Sequence, residues 1–86
     1  MVEKTVTVRL KEGLQARPAA LFVQEANRFH SHITLEKNGR VANVKSIMGV
    51  MSIAPAYGEH FVLHAEGPDE TEAIQTLADF IEKEAD

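Results

Sequence analysis

Lys45-Ser46-Ile47-Met48-Gly49-Val50-Met51-Ser52-Ile53-Ala54 is the stretch around which the chain is organised. It reads as a short helix with Ser46 at its N-cap, where the hydroxyl can accept a hydrogen bond from an orphan backbone N–H of the first turn. Set at ~100° per residue, Ile47, Met48, Val50, Met51, Ile53 and Ala54 cover well over half the circumference, and only Gly49 and Ser52 leave a gap. A helix that merely packs on a core needs an apolar stripe of ~100° or a little more. The excess predicts that some of Ile47, Met48 and Met51 face water beside the serine. A modifiable hydroxyl next to a sticky patch suggests a protein that works by being bound.

Upstream, Val2, Val6, Val8 and Leu10 alternate with Glu3, Thr5, Thr7, Arg9 and Lys11, the pattern of a half-buried strand that Gly13 breaks. Ala16, Ala19, Ala20, Val23 and Ala26 then recur at helical spacing, flanked by Phe22 and Phe29. Pro18 fits only the first turn of a helix, so that helix begins near Ala16 with Gln15 at its N-cap. A second strand spans 32–36, with Ile33 and Leu35 inward. Asn38-Gly39 is a hairpin signal because both residues accept positive φ, and residues 41–44 form the return strand.

Downstream, Pro55 ends the Ser46 helix, since it disfavours helical backbone at Ala54. A fourth strand spans 60–66, with Phe61, Leu63 and Ala65 on one face. After Gly67-Pro68 a last helix is predicted, capped by Asp69 with Glu72 completing a capping box. Its buried stripe is Ala73, Ile74, Leu77, Ala78 and Ile81, with Glu70, Glu72, Asp79 and Glu82 outward. The predicted class is α+β: an open-faced β-sandwich in which a four-stranded antiparallel sheet is covered on one face by three helices, in the order β-α-β-β-α-β-α.

The 86 residues suit one domain, 1–86, with one modest core. There is no cysteine, so disulfides, thiolate ligands and thiol nucleophiles are excluded, and a reducing cytoplasm fits. No apolar run approaches a membrane span, and Met1-Val2-Glu3-Lys4 does not open a signal peptide. The net charge of −4 argues against nucleic acid as a direct partner. Eight of the nine Lys and Arg lie in residues 1–45, whereas nine of the thirteen acids lie in residues 46–86. Most of these charges are solvated faces; the functional ones are the cations able to reach Ser46. His60 and His64 lie about 13 Å apart along one strand, and His30-x-His32 lacks a third ligand. Neither a metal site nor a cofactor is expected.

Gly13-Leu14-Gln15-Ala16-Arg17-Pro18-Ala19 and Lys45-Ser46-Ile47-Met48-Gly49-Val50-Met51 resemble the two signatures of the HPr family, the small phosphocarriers of the bacterial sugar phosphotransferase system. The resemblance runs the length of the chain. One departure matters most. In that family the residue between Gly-Leu and Ala-Arg-Pro is the histidine that carries phosphate; here it is Gln15. An imidazole nitrogen has a lone pair free to attack phosphorus, whereas the glutamine amide lone pair is delocalised into its carbonyl. The chain therefore resembles a regulatory branch of the family that has lost the histidine and kept the serine.

That resemblance implies a non-enzymatic protein of carbon catabolite repression. It would be phosphorylated on Ser46 by the HPr kinase/phosphorylase and would then bind the catabolite control protein, a LacI-type regulator, as corepressor. Ile47, Met48 and Met51 would form the partner patch, Arg17 would contact the partner, and Gln15 would be a neutral contact that distinguishes this chain from the phosphocarrier. Two alternatives stay open: a phosphocarrier using another residue, and a domain whose Ser46 is only a cap. The Pro55-Ala56-Tyr57 segment departs from the family pattern and puts details of the partner surface in question. The first strand, ahead of the Gly13 hinge, leaves room for a homodimer by strand exchange.

Overall fold

Alternation along four strands gives the sheet one apolar and one polar side, and three helices cover the apolar side. The computed structural model describes residues 1–83. Its elements are β1 (Val2–Thr7), α1 (Ala16–Ala26), β2 (His32–Lys37), β3 (Arg40–Asn43), α2 (Ile47–Ile53), β4 (His60–Glu66) and α3 (Glu70–Glu82). The strands lie in the order β1-β4-β2-β3, and every neighbouring pair is antiparallel. The expected architecture and element order are what the chain adopts.

Val6, Ile33, Leu35, Ala42, Phe61, Leu63 and Ala65 turn inward from the sheet. Ala73, Ile74, Leu77, Ala78 and Ile81 meet them from α3, as the spacing predicted. Phe22 of α1 is fully buried and packs its ring 5.8 Å from that of Phe80. At the hairpin, Asn38 and Gly39 take φ of 54° and 80°, as their pairing requires.

Several expectations differ in detail. β1 ends at Thr7 rather than near Lys11, because Val8 and Arg9 leave the ladder to donate to the carbonyls of Glu59 and Ile81, each at 2.9 Å. Val8 nevertheless stays fully buried. Within α1, Ala16 and Ala20 face solvent; the inward face is Ala19, Phe22 and Ala26, so Phe22 is central rather than flanking. The return strand is shifted by one residue, with Val41 exposed and Val44 buried just beyond the strand end.

The capping box at α3 does not form. Asp69 sits at the N-cap but makes no capping hydrogen bond. Its carboxylate instead accepts from the backbone N–H groups of His30 (2.9 Å) and Ser31 (3.0 Å) and from the Ser31 hydroxyl. Glu70, not Glu72, reaches back, accepting from Gly67 N–H at 3.1 Å. The Asp69 carboxylate thus serves the chain before β2 rather than the start of its own helix. Gly67 is required there: at φ 151° a Cβ would lie 2.7 Å from Ser31 Cα.

The Ser31 hydroxyl, then the His30 amide, hold the Asp69 carboxyl below its ordinary range. A depressed folded-state value contributes stability that is present above the unfolded value near pH 4 and is lost as pH falls through the folded one. Asp69→Asn is therefore expected to lower the urea midpoint at neutral pH. The gap to the unsubstituted chain should close as pH drops well below about 4, measured as midpoint against pH.

Candidate functional site

Asn43 builds the entry to α2. Its side-chain Oδ1 accepts from Lys45 N–H at 2.9 Å, and its carbonyl accepts from Ser46 N–H at 3.1 Å. The turn delivers Ser46 in extended backbone, φ −111° and ψ 118°, with its Oγ accepting from Gly49 N–H at 3.1 Å. The serine is thus the predicted N-cap, half-buried at the surface. Gly49 fits because a Cβ there would come within 3.2 Å of the Asn43 carbonyl oxygen. No acidic residue lies in the first turn of α2, so the positive end of the helix dipole meets no carboxylate from within it.

The apolar excess of α2 goes where its width predicted. Val50 is fully buried, and Ile53 is packed partly against the core. Met48 is 77% exposed, Met51 46% and Ile47 37%. Unbranched thioether side chains at such a surface adapt readily to a partner.

Hydrogen bonds at both ends fix α1 against α2 in opposite directions. At one end, Asn27 Nδ2 donates to the carbonyl of Lys45 (3.3 Å), and Lys45 Nζ donates to the carbonyl of Phe29 (2.7 Å). At the other, Leu14 N–H donates to the carbonyl of Pro55 at 2.8 Å. Ser46 therefore lies by the end of α1, and Gln15 and Arg17 lie by the end of α2. The eleven residues of α1 separate them by about 16 Å at ~1.5 Å per residue. The α2 surface carrying Met48 and Met51 runs between the two.

The layout gives the two cations of the motifs separate places. Arg17 is exposed but belongs to the far end of α1, out of reach of Ser46. Lys45 is next to Ser46 in sequence, yet its ammonium is engaged by Phe29, so it fixes the turn rather than waiting for an anion. Gln15 does stand at the N-cap of α1, in extended backbone, but its amide turns back and Nε2 donates to the Glu12 carbonyl at 2.8 Å. Ala16, directly after it, has φ 52°, a left-handed backbone uncommon for alanine. Sequence reasoning missed Asn27; an asparagine at a helix end was the available signal, but nothing in the sequence named its acceptor.

Among the described residues there is no cluster of three or more His, Cys, Asp or Glu arranged to hold a metal, and no helix long and apolar enough to cross a membrane.

The fold is an open-faced α+β sandwich with two helix starts that lack acidic residues and an exposed methionine surface running between them. Residues 2–83 match the family model described as the PTS HPr component phosphorylation site, so the chain belongs to the HPr family. It is 63% identical over 84 residues to the HPr-like protein Crh of Halalkalibacterium halodurans, covering 98% of this chain and 100% of that one. The phosphocarrier HPr of Bacillus anthracis superposes with a TM-score of 0.91 at 56% identity, over 93% of this chain and 95% of that one. The Bacillus subtilis Crh crystal structure, described as a dimer with a swapped domain, gives 0.78 at 58% identity over 99% and 98%.

If Ser46 holds the start of α2 as its geometry indicates, Ser46→Ala should lower unfolding free energy by about 1 kcal/mol. Ser46→Asp, which keeps an acceptor at the N-cap, should recover most of that loss. Denaturant midpoints of the three proteins, unphosphorylated, provide the comparison.

Proposed function

We propose that this chain is a regulatory, non-enzymatic HPr-like protein of carbon catabolite repression, acting in the cytoplasm as one unit spanning residues 1–86. The observation that carries this reading is the pairing of Gln15 with Ser46. The family's phosphate-bearing histidine position holds an amide without nucleophilic character, while an N-cap hydroxyl is kept beside exposed Met48 and Met51. The names of the Crh relatives support the same assignment.

In this reading the HPr kinase/phosphorylase transfers phosphate to Ser46 Oγ. The ester adds about −1.5 to −2 charges at the positive end of α2. The modified protein then docks onto the catabolite control protein, the LacI-type regulator, as corepressor. Met48, Met51 and Ile47 bury apolar area in the contact. Arg17 and Gln15 engage it about one α1 length from the phosphate, with Arg17 suited to an acidic group on the regulator. DNA is touched only by the regulator. The swapped Crh dimer supports a homodimeric form of this chain as well.

With ATP and the HPr kinase/phosphorylase, the protein should gain one phosphate, and Ser46→Ala none, by intact mass. With phosphoenolpyruvate and the general phosphotransferase enzymes, no acid-labile phosphoryl group should appear; its appearance would make the chain a phosphocarrier using another residue. Failure of both donors would leave Ser46 as a cap alone.

The regulator should bind the phosphorylated form and not the unmodified one. Met48→Ala with Met51→Ala should weaken that binding by about tenfold or more, as loss of central interface anchors does. The same change should shift stability by no more than about 0.5 kcal/mol per residue, as for exposed positions. Calorimetric titration and thermal unfolding separate the two effects.

A further inference from the structure

The open face of the sheet holds an arrangement that the docking surface does not use. His64 lies on β4, between β1 and β2. Its Nδ1 is 3.0 Å from Glu3 Oε2 on β1, and its Nε2 is 3.1 Å from Glu36 Oε1 on β2. The register explains the geometry. Glu3 stands directly across from His64 on one side, and Thr34 on the other, with Glu36 two residues further along β2. A long side chain spans that diagonal.

The His64 side chain is 25% exposed and lies between the two carboxylates. A neutral imidazole has one N–H and one lone pair. It can donate to one carboxylate while turning its lone pair toward the other. The imidazolium donates to both. The other charged groups around it are few. His32 and Glu66 share one adjoining hollow with His64, and Lys4 lines the other together with Glu3 and Glu36. The Met1 ammonium is held elsewhere, 3.0 Å from Glu70 Oε2. The helices lie across the opposite face of the sheet.

We propose that His64 is a proton-dependent clasp holding the edge strand β1 to the rest of the sheet. β1 pairs with β4 alone, whereas β4 and β2 each have two neighbours. With its proton, His64 draws carboxylates from both flanking strands onto one cation. As the proton leaves, one carboxylate faces a lone pair and β1 is held less firmly. β1 is followed after a few residues by Gly13 at φ 74°, a break at which the strand can lift as a unit. Opening of β1 is also the first step that any exchange of this strand with a second copy requires. The proposal does not depend on Ser46 or on the regulator.

Amide hydrogen exchange of the unmodified full chain tests it, at about pH 5.5 and about pH 8, either side of the ordinary histidine range. Rates are corrected for intrinsic exchange, and β2 and β3 amides serve as the reference. Relative protection of β1 should fall by roughly two- to five-fold on raising the pH, the range for a solvent-accessible ion pair. Glu3→Gln, which keeps side-chain length at an exposed position, should show the lower protection at both pH values. His60, whose Nδ1 meets Thr7 Oγ1 at 3.0 Å, is present in both proteins, so the difference between them isolates Glu3 and His64. About 1 M salt should shrink the effect, because exposed charges are screened. An unsubstituted chain with no pH dependence in β1, or one whose dependence survives Glu3→Gln, would overturn the clasp.

Discussion

Everything at the candidate site depends on α1 and α2 being tied at both ends. Leu14 N–H to Pro55 carbonyl closes one end; Asn27 and Lys45, through the carbonyls of Lys45 and Phe29, close the other. These bonds satisfy chain-end groups that would otherwise need water or a cap. They also fix which features share a surface. Without them α2, at seven residues, is too short to hold helical structure by propensity. Tied down, it can leave much of its apolar circumference unburied, because Val50 and its end contacts suffice to keep it in place.

That separation of tasks explains the composition of α2. A helix that depended on packing alone would bury its methionines. Here Met48 and Met51 stay largely outside the core, with Gly49 and Ser52 in the gap between packed and exposed sides. The loop after α2 belongs to the same frame. Glu59 accepts from Ala56 N–H at 2.6 Å and pairs with Lys37 at 3.2 Å, and those two contacts, in that order, hold its carboxyl below the ordinary range. Pro55, fully buried, thereby presents its carbonyl to Leu14. The segment that departs from the family pattern at Pro55-Ala56-Tyr57 is thus part of what positions Gln15, and its Tyr57 is exposed.

The fold was readable wherever one residue decides one local geometry. Asn38-Gly39 needs two positive φ values, Ser46 needs a helix behind it, and period two along 60–66 needs a sheet with one wet face. It was not readable where distant groups compete for one atom. Asp69 and Glu72 spelled a capping box, but the amides of His30 and Ser31, thirty-eight or more residues away, took the carboxylate. Ser46, Met48 and Met51 could be named from helical geometry. The distance of Arg17 from Ser46 and the capture of Lys45 could not, since both follow from the antiparallel set of two helices that are not neighbours in sequence.

The bonds around Ser46 also bear on how a modification there would be transmitted. Of the contacts that set the start of α2, one uses the serine hydroxyl: the bond from Gly49 N–H. The rest are backbone bonds or Asn27, Asn43 and Lys45 side-chain bonds that an ester on Oγ leaves intact. A phosphate would supply further acceptor oxygens to the same first turn, so even the Gly49 N–H need not go unpaired. A helix held in this way changes the charge of its surface more readily than its shape. The message would then lie in a charge set at one end of a fixed apolar strip, which a partner reads only if it can neutralise the charge and cover the strip together.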